Sequence, residues 1–126
     1  MTGKKIMIVD DDKEFLEELE ETLILSGYAT VAVNDSTTAL NTACRAKPDL
    51  ILLDLKMDRM SGFQVAQSLK KFPETTTIPI MAMTGYFTRE EYSSLTEMYG
   101  MKACIMKPFN PLDVIAKIES LLANEL

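Results

Sequence analysis

The sequence predicts an α/β fold, a parallel sheet with helices on both faces. Two features predict it. Five short apolar runs alternate with five stretches of helical periodicity, and such alternation requires parallel strands joined by right-handed crossovers. The third run, Leu50-Ile51-Leu52-Leu53, is four aliphatic residues long without alternation, the pattern of a strand covered on both faces.

Ile6-Met7-Ile8-Val9 is the first strand, and it runs into Asp10-Asp11-Asp12. Asp12 is a helix N-cap, because a short carboxylate accepts from the amides of a first turn. The helix it opens, about Lys13 to Ser26, sets Phe15, Leu16, Leu19 and Leu23 on one face. Gly27 ends it. Ala29 to Val33 is the second strand. Asn34-Asp35-Ser36 opens a second helix with Ala39, Leu40, Ala43 and Cys44 inward, and Lys47-Pro48 stops it.

After the third strand, Met57-Asp58-Arg59-Met60-Ser61-Gly62 is a loop. A third helix follows to about Phe72 with Val65, Ala66 and Leu69 as its stripe. Ile78 to Met83 is the fourth strand; Pro79 fits only near its start, and Thr84-Gly85 closes it. Thr88 to Met98 makes a fourth helix, with Tyr92, Leu95 and Tyr99 at helical spacing. It is the least apolar helix and so the loosest packed, and Gly100 ends it. Ala103 to Met106 is a short fifth strand. Lys107-Pro108-Phe109 follows, a turn in which the bond before proline can be cis. Asn110 caps a last helix to about Ala123, with Pro111 in its first turn and Val114, Ile115, Ile118, Leu121 and Leu122 as its apolar set.

The chain has 126 residues, so a single domain over 1–126 is expected. Thirteen basic against nineteen acidic residues give a net charge of −6. That argues against nucleic-acid binding, which needs a basic face. Two cysteines, no CxxC and no histidine argue against zinc and for reduced thiols. The apolar run near the N-terminus is too short for a signal peptide or a membrane span. A cytoplasmic protein without membrane contact is expected.

The β-to-α turns of such a sheet lie along one edge, where ligands bind. The polar residues ending the apolar runs there are Asp10, Asp11, Asp54, Thr84 and Lys107. Each has a plainer reading alone. Asp54 reads as a turn cap, Asp10 to Asp12 as acids at a helix N-terminus, Thr84 as a turn residue and Lys107 as a solvated side chain. Their coincidence at successive strand ends outweighs those readings. Three carboxylates near one point need a cation, and Mg²⁺ suits oxygen ligands. An ammonium and a hydroxyl beside them fit a phosphoryl group. A carboxylate facing that cation can act as nucleophile and form an aspartyl phosphate, so Asp54 is the candidate acceptor.

At this point the chain resembles the receiver domain of a two-component response regulator, similar to the chemotaxis regulators. The matching stretches are IMIVDDD, PDLILLDLKM followed by SG, IMAMTG and MKPF, and they cover nearly the whole chain. The resemblance implies a flavodoxin-like, doubly wound sheet of five strands in the order 2-1-3-4-5 with five helices. It implies that Asp54 accepts the phosphoryl group. Asp10 and Asp11 hold Mg²⁺ together with Asp54 and the backbone carbonyl of Lys56. Thr84 bonds the phosphoryl group and Lys107 pairs with it. The implied phosphate donor is a sensor histidine kinase or a phosphotransfer protein. The implied output is a surface of the fourth helix, fifth strand and fifth helix that binds a downstream protein, here including Tyr92, Met98, Lys102 and Cys104.

Three residues depart from the family's habit. Asp58 stands where proline is frequent, so the loop loses a stiff residue; Asp58 is expected to cap the third helix or pair with Arg59. Cys104 stands where an aromatic is usual. Gly85 replaces a frequent alanine and frees its loop. Lys56 and Tyr86 stand at the two variable positions that, by the same resemblance, flank the path of attacking water; a long cation and a ring there predict slow loss of phosphate.

Other classes fit less well. An aspartyl-phosphate phosphatase wants Asp-x-Asp-x-Thr, and Lys13-Glu14 follows Asp12 here. A flavin module needs a Ser/Thr/Gly-rich phosphate loop, and this loop is acidic. A degenerate receiver acting only by contact would lack chemical positions that are all filled here. The chain is therefore expected to phosphorylate itself without being a multiple-turnover enzyme. It resembles a stand-alone receiver, and a cut-out of a longer regulator or hybrid kinase remains an open alternative.

Overall fold

A computed structural model describes residues 3–85 and 97–123. Five parallel strands, β1 (Lys5–Val9), β2 (Ala29–Val33), β3 (Leu50–Asp54), β4 (Ile80–Thr84) and β5 (Ala103–Met106), form one sheet in the order β2-β1-β3-β4-β5. Four helices are described: α1 (Lys13–Leu25), α2 (Ala39–Ala46), α3 (Gly62–Lys71) and α4 (Pro111–Ala123). The helix expected over Thr88 to Met98 lies outside the described residues except for Glu97 and Met98, which are helical. Gly100 follows with φ +71°.

Strand alternation divides the core into two layers. Ile6 and Ile8 of β1, Leu50 and Leu52 of β3 and Met81 and Met83 of β4 pack against Leu16, Leu19 and Leu23 of α1 and Val114 and Ile118 of α4. Met7, Val9, Ile51, Leu53, Ile80 and Ala82 face Ala39 and Ala43 of α2 and Val65, Ala66 and Leu69 of α3. The central strands bury both faces completely, which explains why β3 shows no polar alternation.

The helix ends follow local chemistry. Asp12 accepts from the Phe15 amide at 3.2 Å, and Gly27, at φ +96°, follows the α1 C-terminus. Asn110 accepts from the Leu112 amide at 2.9 Å. Three boundaries differ from expectation. Asp35 caps a 3-10 turn over Ser36–Thr38, so α2 starts only at Ala39 and leaves Cys44 half-buried. β4 starts at Ile80, because Pro79 has no amide to give a ladder. β3 extends through Asp54 rather than stopping at Leu53. The Lys107–Pro108 bond is cis.

Gly62 sets how closely α3 approaches the end of β3. A Cβ there would lie 2.2 Å from the Asp54 carbonyl oxygen and 2.7 Å from Leu55 Cα. The Gly62 amide instead donates to the Leu55 carbonyl at 3.0 Å.

Candidate functional site

Asp10 follows β1 and continues its ladder, its amide donating to the Val33 carbonyl at 3.0 Å. Asp54 is the last residue of β3. Alternation carries the Ile6-Ile8 row on to Asp10, the Leu50-Leu52 row to Asp54 and Ile105 to Lys107. All three side chains therefore emerge on the α1/α4 side of one sheet edge. Thr84 ends the Ile80-Ala82 row on the opposite side, and the Lys107 amide donates to its carbonyl at 2.9 Å.

Asp10 is 1% exposed and Asp54 7%. Asp10 accepts from the Asp12 amide at 3.0 Å and from Lys107 Nζ at 2.6 Å. The same ammonium lies 3.8 Å from Asp54 Oδ1. Asp11 is exposed, and its Oδ2 accepts from the Asp58 amide at 3.1 Å. Carboxylate oxygens of Asp10, Asp11 and Asp54 lie within 4.8 Å of one another.

One ammonium does not neutralise three carboxylates. Burial, and next the charge of Asp10, push the Asp54 carboxyl up to about 6 against the pull of Lys107 and the Lys56 amide. Burial also raises Asp10 despite its short bond to Lys107. The cluster thus gathers hard oxygen donors whose negative charge the described residues do not fully compensate, a donor set that fits a divalent cation such as Mg²⁺.

The sequence-predicted residues Asp10, Asp11, Asp54, Thr84 and Lys107 all arrive at this edge, with Lys56 two residues beyond Asp54 and its side chain exposed. Asp58 is corrected on both counts. Ser61 caps α3, in a reciprocal pair with Gln64, and Arg59 pairs with Asp35 at 3.6 Å. Asp58 instead offers its amide to Asp11, a donor that proline in its place would lack. The Met60 amide donates to Ser36 Oγ at 2.9 Å, so the loop after β3 is tied to the turn after β2. No local pattern announces these bonds, because their partners lie 24 to 47 residues apart in sequence.

Among the residues expected at the output surface, Met98 is 76% exposed and Lys102 exposed. Cys104 packs against the α2/α3 core layer. Tyr86 and Tyr92 lie outside the described residues. A Cβ at Gly85 would meet Lys107 at ordinary contact distances, 3.5 and 3.9 Å, so alanine fits there. No helix among the described residues is long and apolar enough to cross a membrane.

Comparison with known proteins agrees with this arrangement. The phosphate regulon transcriptional regulatory protein PhoB of Pseudomonas aeruginosa is 33% identical over 122 residues, 97% of this chain and 53% of PhoB. The chain thus spans about half the length of that relative. The polar-differentiation response regulator DivK of Brucella anthropi is 31% identical over 121 residues, 96% of this chain and 98% of DivK. The crystal structure of a response regulator from Desulfuromonas acetoxidans superposes with a TM-score of 0.87 at 31% identity, covering 95% of this chain and 97% of that one. The sequence model of the response regulator receiver domain matches residues 6–119, and the chain, with its acidic cluster at the carboxyl edge of a 2-1-3-4-5 sheet, belongs to that family of two-component signalling modules.

Proposed function

We propose that this chain is a phospho-accepting receiver in which Asp54 takes a phosphoryl group from the phosphohistidine of a sensor kinase or phosphotransfer protein. The observation that carries the reading is Lys107 Nζ, poised between Asp10 at 2.6 Å and Asp54 at 3.8 Å. The ammonium meets negative charge beside the nucleophile without neutralising it. Asp10, Asp11, Asp54 and the Lys56 carbonyl would hold Mg²⁺, which would screen the carboxylate from the incoming phosphate.

An Asp54 oxygen attacks phosphorus, the bond from phosphorus to the donor imidazole breaks, and the imidazole leaves with the electron pair. Lys107 and the Thr84 hydroxyl then hold the phosphoryl oxygens. Moving these two groups toward the new charge biases the surface that Met98, Lys102 and the edge strand β5 share, and so the binding of a downstream protein. The phosphoryl group stays on the protein that catalysed its capture, so the chemistry is self-modification rather than turnover of a small substrate. We assign residues 1–126 to one receiver domain acting in the cytoplasm. We retain slow loss of phosphate as part of the proposal, because the long Lys56 side chain extends from the same loop.

The test is intact mass and phosphate-affinity mobility after incubation with acetyl phosphate and Mg²⁺. One phosphoryl group on the wild type, none on Asp54→Asn and none with excess chelator is the expected result. Equal labelling of Asp54→Asn, or an unlabelled wild type, overturns the assignment.

A further inference from the structure

We propose that Phe15 is a positioning residue for chemistry at Asp54, its ring being the platform on which the Lys107 ammonium is held. The inference rests on the assignment of Lys107 as the phosphoryl-pairing cation. Lys107 Nζ lies 4.1 Å from the centroid of the Phe15 ring. That distance places a cation over the negative face of an aromatic ring. The ammonium thus has a carboxylate on one side, at 2.6 Å, and an aromatic face on another.

The ring is itself fixed. Asp12 accepts from the Phe15 amide, which anchors the first turn of α1. Phe109, two residues after Lys107, meets the Phe15 ring edge-on, with centroids 5.7 Å apart and planes at 73°. Segments almost a chain length apart are brought together by the docking of α1 beside α4.

The physical case for a role beyond packing is the chemistry of the contact. A lysine has a flexible stem and several rotamers to lose on being ordered. A carboxylate holding it harder would also bind it competitively against an incoming phosphoryl group. A ring face attracts the cation without a net charge and takes no hydrogen bond from it. It restricts the ammonium to the edge shared by Asp10 and Asp54 and leaves its protons available to the phosphoryl oxygens. Leucine at this position keeps the apolar packing on the α1/α4 core layer and loses the π face, so packing and positioning can be separated.

The experiment measures the initial rate of Asp54 labelling by acetyl phosphate at saturating Mg²⁺ for wild type, Phe15→Leu, Phe15→Tyr and Lys107→Ala, and for Phe15→Leu combined with Lys107→Ala. Phe15→Leu should label about fivefold more slowly, the order expected of one partly desolvated cation–π contact. Phe15→Tyr, which keeps the ring, should restore the rate. Removing Phe15 from the Lys107→Ala protein should cost nothing further. Mg²⁺ affinity, read by NMR titration, should be the same in wild type and Phe15→Leu. In the wild type itself the ε-methylene protons of Lys107 should resonate upfield of ordinary lysine through the ring current.

A Phe15→Leu rate equal to wild type overturns the inference, as does an undiminished loss in the Lys107→Ala background. Ordinary ε-proton shifts in the wild type also overturn it, and need no variant to fold. A wild type that takes no phosphoryl group on Asp54 removes the underlying assignment as well. The first three outcomes leave that assignment standing.

Discussion

At the amino-terminal edge of the sheet, the Lys5 amide donates to Asp49 at 2.8 Å and its ammonium to the Ala46 carbonyl at 2.9 Å. Lys5 and Asp49 thus each have a partner there. At the carboxyl-terminal edge of the same strands, three carboxylates converge and, among the described residues, one ammonium answers them. Backbone, register and flanking core are shared by the two edges. They differ in how far the described residues compensate the charge, and the carboxyl edge is where a cation and an anionic group have something to gain. A binding site in this fold is thus a place where the electrostatic balance kept elsewhere is left open.

Substitutions along one strand sharpen that contrast. Leu52 and Asp54 lie two residues apart on the same face of β3. Leu52 is fully buried, and Leu52→Ala should lower unfolding free energy by about 3 kcal/mol in urea titrations. Gly62→Ala should cost about 2 kcal/mol or more, since its Cβ would press on the backbone of Asp54 and Leu55. Loss of phosphoryl transfer should accompany it, because that backbone carries Asp54, the proposed nucleophile. If Gly62→Ala is neutral, the tight approach of α3 does not set the geometry of the edge.

Asp54→Asn should go the other way and stabilise the metal-free protein by about 1 kcal/mol, the pKa shift being discounted for screening at the rim. The sign follows from proton binding. The folded Asp54 carboxyl titrates near 6 against 3.8 for the ordinary group. Between those values the folded state holds more proton than the unfolded state, so stability falls as pH rises through the window. Denaturation midpoints of the metal-free protein should therefore drop from pH 4 towards pH 6.5 with a smaller slope in Asp54→Asn. Saturating Mg²⁺ should stabilise the wild type more than the variant. Equal slopes would mean that Asp54 is not the group left uncompensated.

The smallest effect concerns the loop. Asp58→Asn and Asp58→Pro both remove a carboxylate, but only proline removes the amide that Asp11 accepts. Isothermal titration should find Mg²⁺ binding about threefold weaker in the proline variant than in the asparagine variant, the value of one modest hydrogen bond. Equal affinities would show that Asp11 is positioned without it.

Much of this architecture is local chemistry and was legible in the chain. The apolar runs mark all five strands, and Asp12, Asn110, Gly27 and Gly100 mark the helix ends where they occur. The polar residues ending those runs are the ones that meet at the edge. The failures also have a physical pattern. Asp35 and Ser61 both lie in loops with several acceptors, so local pattern does not distinguish a 3-10 turn before α2 or Ser61 as the cap of α3. Sequence proximity points Asp58 to Arg59 and the start of α3, whereas its amide donates to Asp11, 47 residues away.

Sequence by itself determined the strands, their polar ends and the net acidity of the chain, because periodicity, capping and hydrophobic runs act over a few residues. Only the tertiary structure decided that Lys107 lies on Asp10, 97 residues away, that Phe15 lies beneath that ammonium and that Asp58 holds Asp11. Those contacts depend on the crossover order and on how far each helix settles against the sheet. Burial at that depth, rather than residue type, is what raises the Asp54 carboxyl.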